Sequence, residues 1–154
     1  MMLSELIKPE CIKVSLESED KEEVFEELMD LLVNVHHISD RNPLLNAIRE
    51  RESKGSTGIG NGIAISHANS KTIERPYGVL GISENGMEYN SADNKPVHVV
   101  FLLITQENNP TEHLKILQRI AKITKDPRFL DSLIKSKNIK EAHKLIVDFE
   151  EQEV

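Results

Sequence analysis

Apolar side chains recur at helical spacing on one face of the segment between residues 24 and 35. Asp20 precedes this segment and Glu23 follows three residues later, which is the spacing of a capping box at a helix start. Upstream, residues 12–16 form a short apolar run that indicates a strand. The pattern therefore predicts a strand followed by an amphipathic helix that buries one face.

A second helix is predicted to begin at Asn42 and Pro43, with the asparagine as N-cap and the proline at the first helical position. The apolar residues among 44–48 mark the inner stripe of this helix. The helical pattern ends near Glu52, where a polar loop follows over residues 53–57.

The middle of the chain alternates apolar runs with turn-forming residues, which is typical of strands. The apolar runs cover residues 63–65, 77–82 and 97–104. Between the second and third runs, the sequence Glu84-Asn85-Gly86 is a hairpin signal, and residues 93–96 mark another turn. Because the third run is almost unbroken, it predicts a central strand buried on both faces.

The last third predicts three helices, whose N-cap residues are Asn109, Asp126 and Asn138. The whole pattern predicts an α/β fold in which a mixed sheet is flanked by helices on both faces. No linker or repeat divides the chain, so we expect a single domain over residues 1–154. The pattern leaves the strand order open.

Composition narrows the classes of function. A formal net charge of −7 and an aromatic content of 4% disfavour binding to nucleic acid or to an anionic membrane. Cys11 is the only cysteine, which excludes a disulfide framework. No apolar run approaches the ~20 residues that cross a bilayer, and no signal peptide precedes the first helix. We therefore expect a soluble cytoplasmic protein that does not insert into a membrane.

His67 is the first candidate for chemistry. It follows a glycine-rich loop and a short apolar strand, and ligands gather at the carboxyl ends of strands in α/β sheets. A neutral imidazole is a nucleophile that can accept a phosphoryl group. From its position alone, a loop histidine without a role explains His67 equally well.

His113 is the second candidate, because it occupies the fourth position of the helix that Asn109 caps. Its spacing to the apolar positions of that helix turns it toward the body of the protein. The helix N-terminus favours a nearby anion and an uncharged imidazole. A partly buried histidine satisfied by a hydrogen bond is the simpler alternative.

Arg51 is the third candidate, since it falls three residues after Ile48 on the predicted inner stripe of its helix. A guanidinium group there can hold a carboxylate or a phosphate, although a structural salt bridge explains it as well. The loop that follows supplies hydroxyl and backbone donors to an anion at Ser56, Thr57 and Gly58.

The remaining histidines are interpreted as structural, and they are His36, His37, His98 and His143. No spacing of histidine, cysteine or acidic residues matches a zinc motif, so no metal site is predicted.

The string STGIGNGIAISHA over residues 56–68, with Arg51-Glu52 before it, closely resembles the signature of the fructose–mannitol enzyme IIA family of the phosphotransferase system (PTS). That family includes the nitrogen-related regulatory branch. The strings DNKPV at residues 93–97 and HLKIL at residues 113–117 extend the resemblance over nearly the whole chain.

This resemblance implies that His67 accepts a phosphoryl group from the phosphohistidine of the carrier protein HPr and passes it to a cysteine on an enzyme IIB partner. His113 and Arg51 match the family's assisting histidine and arginine. The resemblance implies no metal and no organic cofactor. The alternatives are a regulatory protein that reports its phosphorylation state to protein targets, and a structural relative that is not phosphorylated.

Ser66 departs from the family pattern, which usually has proline immediately before the phosphorylated histidine. Loss of proline frees a backbone angle, so a less preorganised loop is expected here. On this basis, Ser66→Pro is predicted to speed phosphorylation.

Overall fold

Strands and helices follow one another along the chain in the computed structural model, which describes residues 1–152. The last two residues of the predicted domain, 153 and 154, lie outside them. The helices are α1 (Leu3–Leu6), α2 (Lys21–Val35), α3 (Asn42–Ser53), α4 (Pro110–Thr124), α5 (Pro127–Ile134) and α6 (Ile139–Gln152). The strands are β1 (Ile12–Lys13), β2 (Gly58–Gly60), β3 (Ile63–Ser70), β4 (Tyr77–Met87) and β5 (Val97–Gln106).

The five strands form one mixed sheet in the order β1-β4-β5-β3-β2. β5 lies at its centre, parallel to β3 and antiparallel to β4, and its side chains from Val99 to Thr105 are all buried. The prediction of a central buried strand is therefore confirmed. The two edges are short, since β1 has two residues and β2 has three.

Helices cover both faces of the sheet, as the sequence predicted. α2 and α3 pack on each other and against β3 and β4, whereas α4, α5 and α6 pack on one another and against β4, β5 and β1. This arrangement confirms the α/β class. No helix within residues 1–152 is both long and apolar enough to cross a bilayer.

The predicted N-cap residues are confirmed at four of five positions. In each of the four, an asparagine or aspartate side chain accepts a hydrogen bond from a backbone N–H of the first turn, and these caps are Asp20, Asn109, Asp126 and Asn138. The helix at Asn42 begins where the sequence predicted, but the fifth cap is wrong, because Asn42 lies inside α3 and Arg41 precedes the helix without a side-chain cap.

The strand expected over residues 12–16 is shorter than predicted, because β1 pairs with β4 only at Ile12 and Lys13. Beyond it, the backbone N–H groups of Glu17 and Ser18 donate to the carboxylate of Glu27 on α2. The N–H of Leu16 still donates to the carbonyl oxygen of Ile82 on β4 over 3.0 Å, so the chain stays beside the sheet up to residue 16 and turns toward α2 only at Glu17.

The hairpin signal at Asn85-Gly86 does not end a strand. β4 runs on to Met87, with an irregularity in its register between Ile82 and Met87. A two-residue hairpin lies instead at Asn61-Gly62, between β2 and β3, where both residues have positive φ, at 57° and 82°. Asn-Gly is the preferred pair for such a turn, so the sequence contained this signal within the glycine-rich loop.

Candidate functional site

His67 lies inside β3, in register with Leu103 of β5, and the strand continues to Ser70. The prediction that His67 follows a short strand is therefore wrong. The residues before and after His67 along β3 are also paired with β5, which restrains the position of His67 more than a loop would.

His113 meets His67 at the start of α4. Nε2 of His113 lies 3.2 Å from Nδ1 of His67, and the two ring centroids are 5.1 Å apart at an interplanar angle of 53°. The cap at Asn109 sets the first turn of α4, so it determines where His113 emerges. The two histidines that the sequence singled out are thus in contact.

Thr105 and Asn69 extend this contact on the far side of His113. The hydroxyl of Thr105 lies 2.5 Å from Nδ1 of His113 and donates to Oδ1 of Asn69 over 2.9 Å. Sequence reasoning missed both residues. Asn69 carried a signal, because side chains alternate along a strand and Asn69 therefore shares a face with His67. Thr105 carried only the weaker signal of a polar residue that ends an apolar run.

Arg51 lies on the rim of an open pocket of about 320 Å³ that is also lined by His67, His113, Asn69 and Lys54. Its Nη1 donates to the carbonyl oxygen of Gly55 over 2.9 Å, which fixes the guanidinium near the end of α3. The structure therefore brings Arg51 into the same pocket as the two histidines.

The predicted burial of Arg51 needs correction. Arg51 is half-buried, and the position of α3 that continues the inner stripe from Leu44 and Ile48 is Glu52. Arginine at this rim keeps its charged group accessible to solvent. Within residues 1–152, Arg51 forms no ion pair of the kind that the alternative interpretation required.

The loop residues Ser56, Thr57 and Gly58 do not line the pocket that holds His67. The Ser56 hydroxyl accepts a hydrogen bond from the N–H of Gly58, and Gly58 packs closely against Ser91. Thr57 is buried and turned toward the interior. Their predicted contact with a phosphate stays a prediction, and their observed partners are within the protein.

Glu52 is the centre of a buried polar cluster beneath this loop. Its carboxylate accepts hydrogen bonds from the N–H and hydroxyl of Thr57, from the hydroxyl of Tyr89 at 3.3 Å and from Nζ of Lys21 at 3.2 Å. Burial and the Glu52 charge raise the pKa of Tyr89, so its phenol remains a neutral donor. The cluster ties α2, α3 and the segment after β4 to the glycine-rich loop.

Ser66 belongs to this buried side of β3. It is 1% exposed and lies in register with Leu102. The sheet supplies the backbone restraint that a proline would otherwise supply. The expected loss of preorganisation at Ser66 therefore has less physical basis in a strand than in a loop.

The surroundings of His67 and His113 favour the neutral form of each ring. Burial, followed by the charges of His113 and Arg51, lowers the pKa of His67 from 6.5 to about 4, while Glu52 opposes the shift. Burial also lowers the pKa of His113. At neutral pH, each ring therefore has one protonated and one unprotonated nitrogen, and the unprotonated nitrogen is nucleophilic.

Three of the other histidines have structural contacts, as the sequence predicted. His98 Nδ1 lies 2.9 Å from the carbonyl oxygen of Ser83, His143 Nε2 lies 3.0 Å from that of Ser4, and the His36 ring packs on Tyr77. Among residues 1–152, no group of three or more histidine, cysteine or acidic side chains is arranged to hold a metal ion.

Comparison with known proteins identifies the family to which this chain belongs. The family model described as "Phosphoenolpyruvate-dependent sugar phosphotransferase system, EIIA 2" matches residues 5–148. The chain belongs to this family, which confirms the resemblance found in the sequence.

Individual relatives include both sugar-specific and nitrogen-regulatory proteins. The chain is 38% identical over 121 residues to the PTS system fructose-specific EIIABC component of Bacillus subtilis, which covers 79% of this chain and 19% of that protein. The chain thus spans about a fifth of that relative's length.

Two solved structures share the fold. Nitrogen Regulatory Protein IIA-Ntr from Neisseria meningitidis has a TM-score of 0.87 at 25% identity, and the match covers 94% of this chain and 98% of that chain. The complex of enzyme IIAMTL and phosphorylated enzyme IIBMTL from Escherichia coli has a TM-score of 0.79 at 18% identity, covering 93% and 99%.

Proposed function

We propose that this protein carries a phosphoryl group on His67 in the phosphoenolpyruvate-dependent sugar phosphotransferase system, taking it from phospho-HPr and passing it to an enzyme IIB partner. One observation carries the proposal: Nδ1 of His67 is engaged by His113 at 3.2 Å. Within residues 1–152, no hydrogen bond engages the other ring nitrogen, Nε2. Since His67 lines the open pocket, Nε2 is the nitrogen available to an incoming group.

The lowered pKa of His67 supports this role. A histidine that must attack phosphorus needs an unprotonated nitrogen, and the pKa of about 4 keeps the ring neutral at pH 7. Attack through Nε2 requires the ring proton to sit on Nδ1, beside His113.

The transfer itself is a displacement at phosphorus. Nε2 of His67 forms a bond to phosphorus as the bond from phosphorus to the donor imidazole nitrogen breaks, and the donor nitrogen keeps the electron pair. The His67 ring retains its Nδ1 proton and becomes cationic, and Nε2 of His113 accepts a hydrogen bond from that proton. In the onward step, a thiolate of the IIB partner forms a bond to phosphorus as the bond to Nε2 breaks.

Arg51 and Lys54 supply the positive charge that the transferring group needs. Both line the pocket beside His67, and Arg51 is held by the Gly55 carbonyl at 2.9 Å. Phosphoryl transfer depends mainly on positioning and electrostatic stabilisation, so a guanidinium fixed at the rim lowers the barrier without reorganising. Glu50 also lines the pocket and partly offsets this charge.

The direct test is incubation with radiolabelled phosphoenolpyruvate, enzyme I and HPr. We expect acid-labile label on the wild-type protein, because a bond between phosphorus and nitrogen hydrolyses in acid, and no label on His67→Gln. The matched control is His143→Gln, which replaces a histidine bound to a backbone carbonyl away from the pocket. Label that persists on His67→Gln would exclude His67 as the acceptor.

A regulatory function is the second candidate, favoured by the close fold match to a nitrogen regulatory protein. The two functions differ in the fate of the phosphoryl group. For transport, we expect the labelled protein to transfer its label to a cysteine of a fructose-type IIB protein, and deletion to reduce sugar uptake. Unchanged uptake together with altered regulation would favour the second function.

A further inference from the structure

A series of polar contacts runs from the sheet to His67. The hydroxyl of Thr105 donates to Oδ1 of Asn69 over 2.9 Å and lies 2.5 Å from Nδ1 of His113. Nε2 of His113 then lies 3.2 Å from Nδ1 of His67. We call Asn69, Thr105 and His113 the relay.

The register of the sheet assembles the relay. Side chains alternate along β3, so Asn69 shares a face with His67. The parallel pairing of β3 and β5 puts Asn69 opposite Thr105. Thr105 is 0% exposed, so its hydroxyl must find its partners within the protein. Asn69 and His113 are those partners.

Each contact of the relay determines where the next proton lies. Oδ1 of Asn69 has no hydrogen, so the one hydroxyl proton of Thr105 points toward it. The hydroxyl then offers a lone pair to Nδ1 of His113, which must carry a proton. In a neutral His113, Nε2 is consequently an acceptor, and Nδ1 of His67 must donate to it. Nε2 of His67 is left with its lone pair.

We propose that Asn69 and Thr105 are positioning residues, which act through His113 to hold His67 in the tautomer whose Nε2 can attack phosphorus. This inference rests on the proposed function of His67. It assigns a purpose to Thr105, a buried polar residue that follows the apolar run of β5. The opposite proton order would put a hydrogen on Nε2 of His67 and block attack there.

The same proton order suits the charge that transfer creates. Once phosphorylated, the His67 ring is cationic, and its Nδ1 proton faces a lone pair on His113. If that proton moves to His113, the resulting imidazolium still donates from Nδ1 to the Thr105 hydroxyl. The positive charge therefore meets an acceptor at each position, and no donor faces another donor.

Three variants distinguish an effect on the relay from an effect on folding. Thr105→Val is close in volume and removes the hydroxyl, whereas Thr105→Ser keeps it. Asn69→Ala removes the acceptor at an exposed position, where truncation is tolerated even if Thr105→Val fails to fold. Thr124→Val is the matched control, because the Thr124 hydroxyl bonds only to carbonyl oxygens of its own helix.

The decisive measurement is the protonation of each ring nitrogen by 15N NMR of histidine-labelled, unphosphorylated protein near pH 7.5. In the wild type, Thr105→Ser and Thr124→Val, we expect protons on Nδ1 and none on Nε2 of both His67 and His113. In Thr105→Val and Asn69→Ala, we expect a mixture of tautomers at both rings. Phosphorylation by phospho-HPr should slow about fivefold in these two variants, the change expected for one hydrogen bond.

Two results would overturn the relay: a wild-type His67 protonated on Nε2, or unchanged ring protonation in Thr105→Val and Asn69→Ala. Both are read without phosphorylation. Failure of the proposed function has a different signature, which is the absence of label on the wild-type protein whatever its tautomers.

Discussion

The carboxylate of Glu52 accepts hydrogen bonds from both the backbone N–H and the hydroxyl of Thr57. One side chain of α3 thereby anchors the loop that leads into the β2–β3 hairpin. Lys21 and Tyr89 complete its partners, so a buried carboxylate is almost fully satisfied. Such a group stabilises a fold only while its partners remain in place.

Glu52→Ala is predicted to lower the free energy of unfolding by about 3 kcal/mol, because it leaves buried donors of Thr57 and Tyr89 and the Lys21 ammonium without their acceptor. Urea unfolding monitored by circular dichroism measures the change. Glu50→Ala, on the exposed side of the same helix, should stay within about 0.5 kcal/mol of the wild type. Equal effects of the two substitutions would contradict a special role for the buried carboxylate.

Arg51→Gln is predicted to slow phosphorylation of His67 by about tenfold to a hundredfold, because one fixed positive charge at the transferring group is lost. The rate of labelling by phospho-HPr measures this. Arg49→Gln is the matched control, since Arg49 pairs with Glu22 and Glu26 on the outer surface of α3. If both variants slow transfer equally, Arg51 acts only through the net charge of the surface.

His113→Ala is predicted to slow labelling without abolishing it, because Nε2 of His67 remains while the acceptor for its Nδ1 proton is removed. Single-turnover kinetics with phospho-HPr distinguish slowed labelling from abolished labelling. Gln118→Ala, exposed on the same helix, serves as control. Normal kinetics in His113→Ala would make His113 a structural residue.

The pH dependence of His67 follows from its low pKa. NMR titration of the ring should give a midpoint near 4, and labelling should persist from pH 7 to about 5 so long as phospho-HPr is supplied at saturation. Between pH 6.5 and about pH 4, the unfolded chain binds a proton at His67 that the folded chain does not bind.

The stabilising contribution of His67 to the free energy of unfolding should therefore be complete above pH 6.5. It should be lost as the pH falls from 6.5 toward 4. Urea unfolding at a series of pH values gives the slope. In His67→Gln, the slope over this interval should be smaller, and an unchanged slope would assign the pH dependence to other groups.

Much of the fold could be predicted because its signals are local. Asp20 and Asn109 accept from backbone N–H groups three residues away, so the sequence alone contains both partners of each cap. The prediction of Asn42 as an N-cap was wrong because Pro43 fits either the first or the second helical position, and Asn42 is itself the first residue of α3.

The site was only partly predictable because some of its contacts link distant segments. His67 and His113 were each recognisable, but the contact between them depends on a parallel pairing that the hydrophobic pattern does not encode. Glu52 shows the same limit, since α3 could have turned Arg51 inward by spacing alone. Glu52 is buried instead of Arg51 because Thr57 and Tyr89 donate hydrogen bonds to its carboxylate. These donors are positioned by the loop and by the segment after β4, which lie outside the helix pattern.

The short strands at the two edges of the sheet have a consequence for behaviour at high concentration. β1 and β2 each expose few unpaired backbone groups, so neither of these two strands gives another molecule much ladder on which to add a strand. Asn61 and Gly62, both with positive φ, turn the chain back into β3 immediately after β2. Although Ile59 is 53% exposed on this edge, it lies in a strand of only three residues, so β2 is a poor template for strand addition by a second molecule.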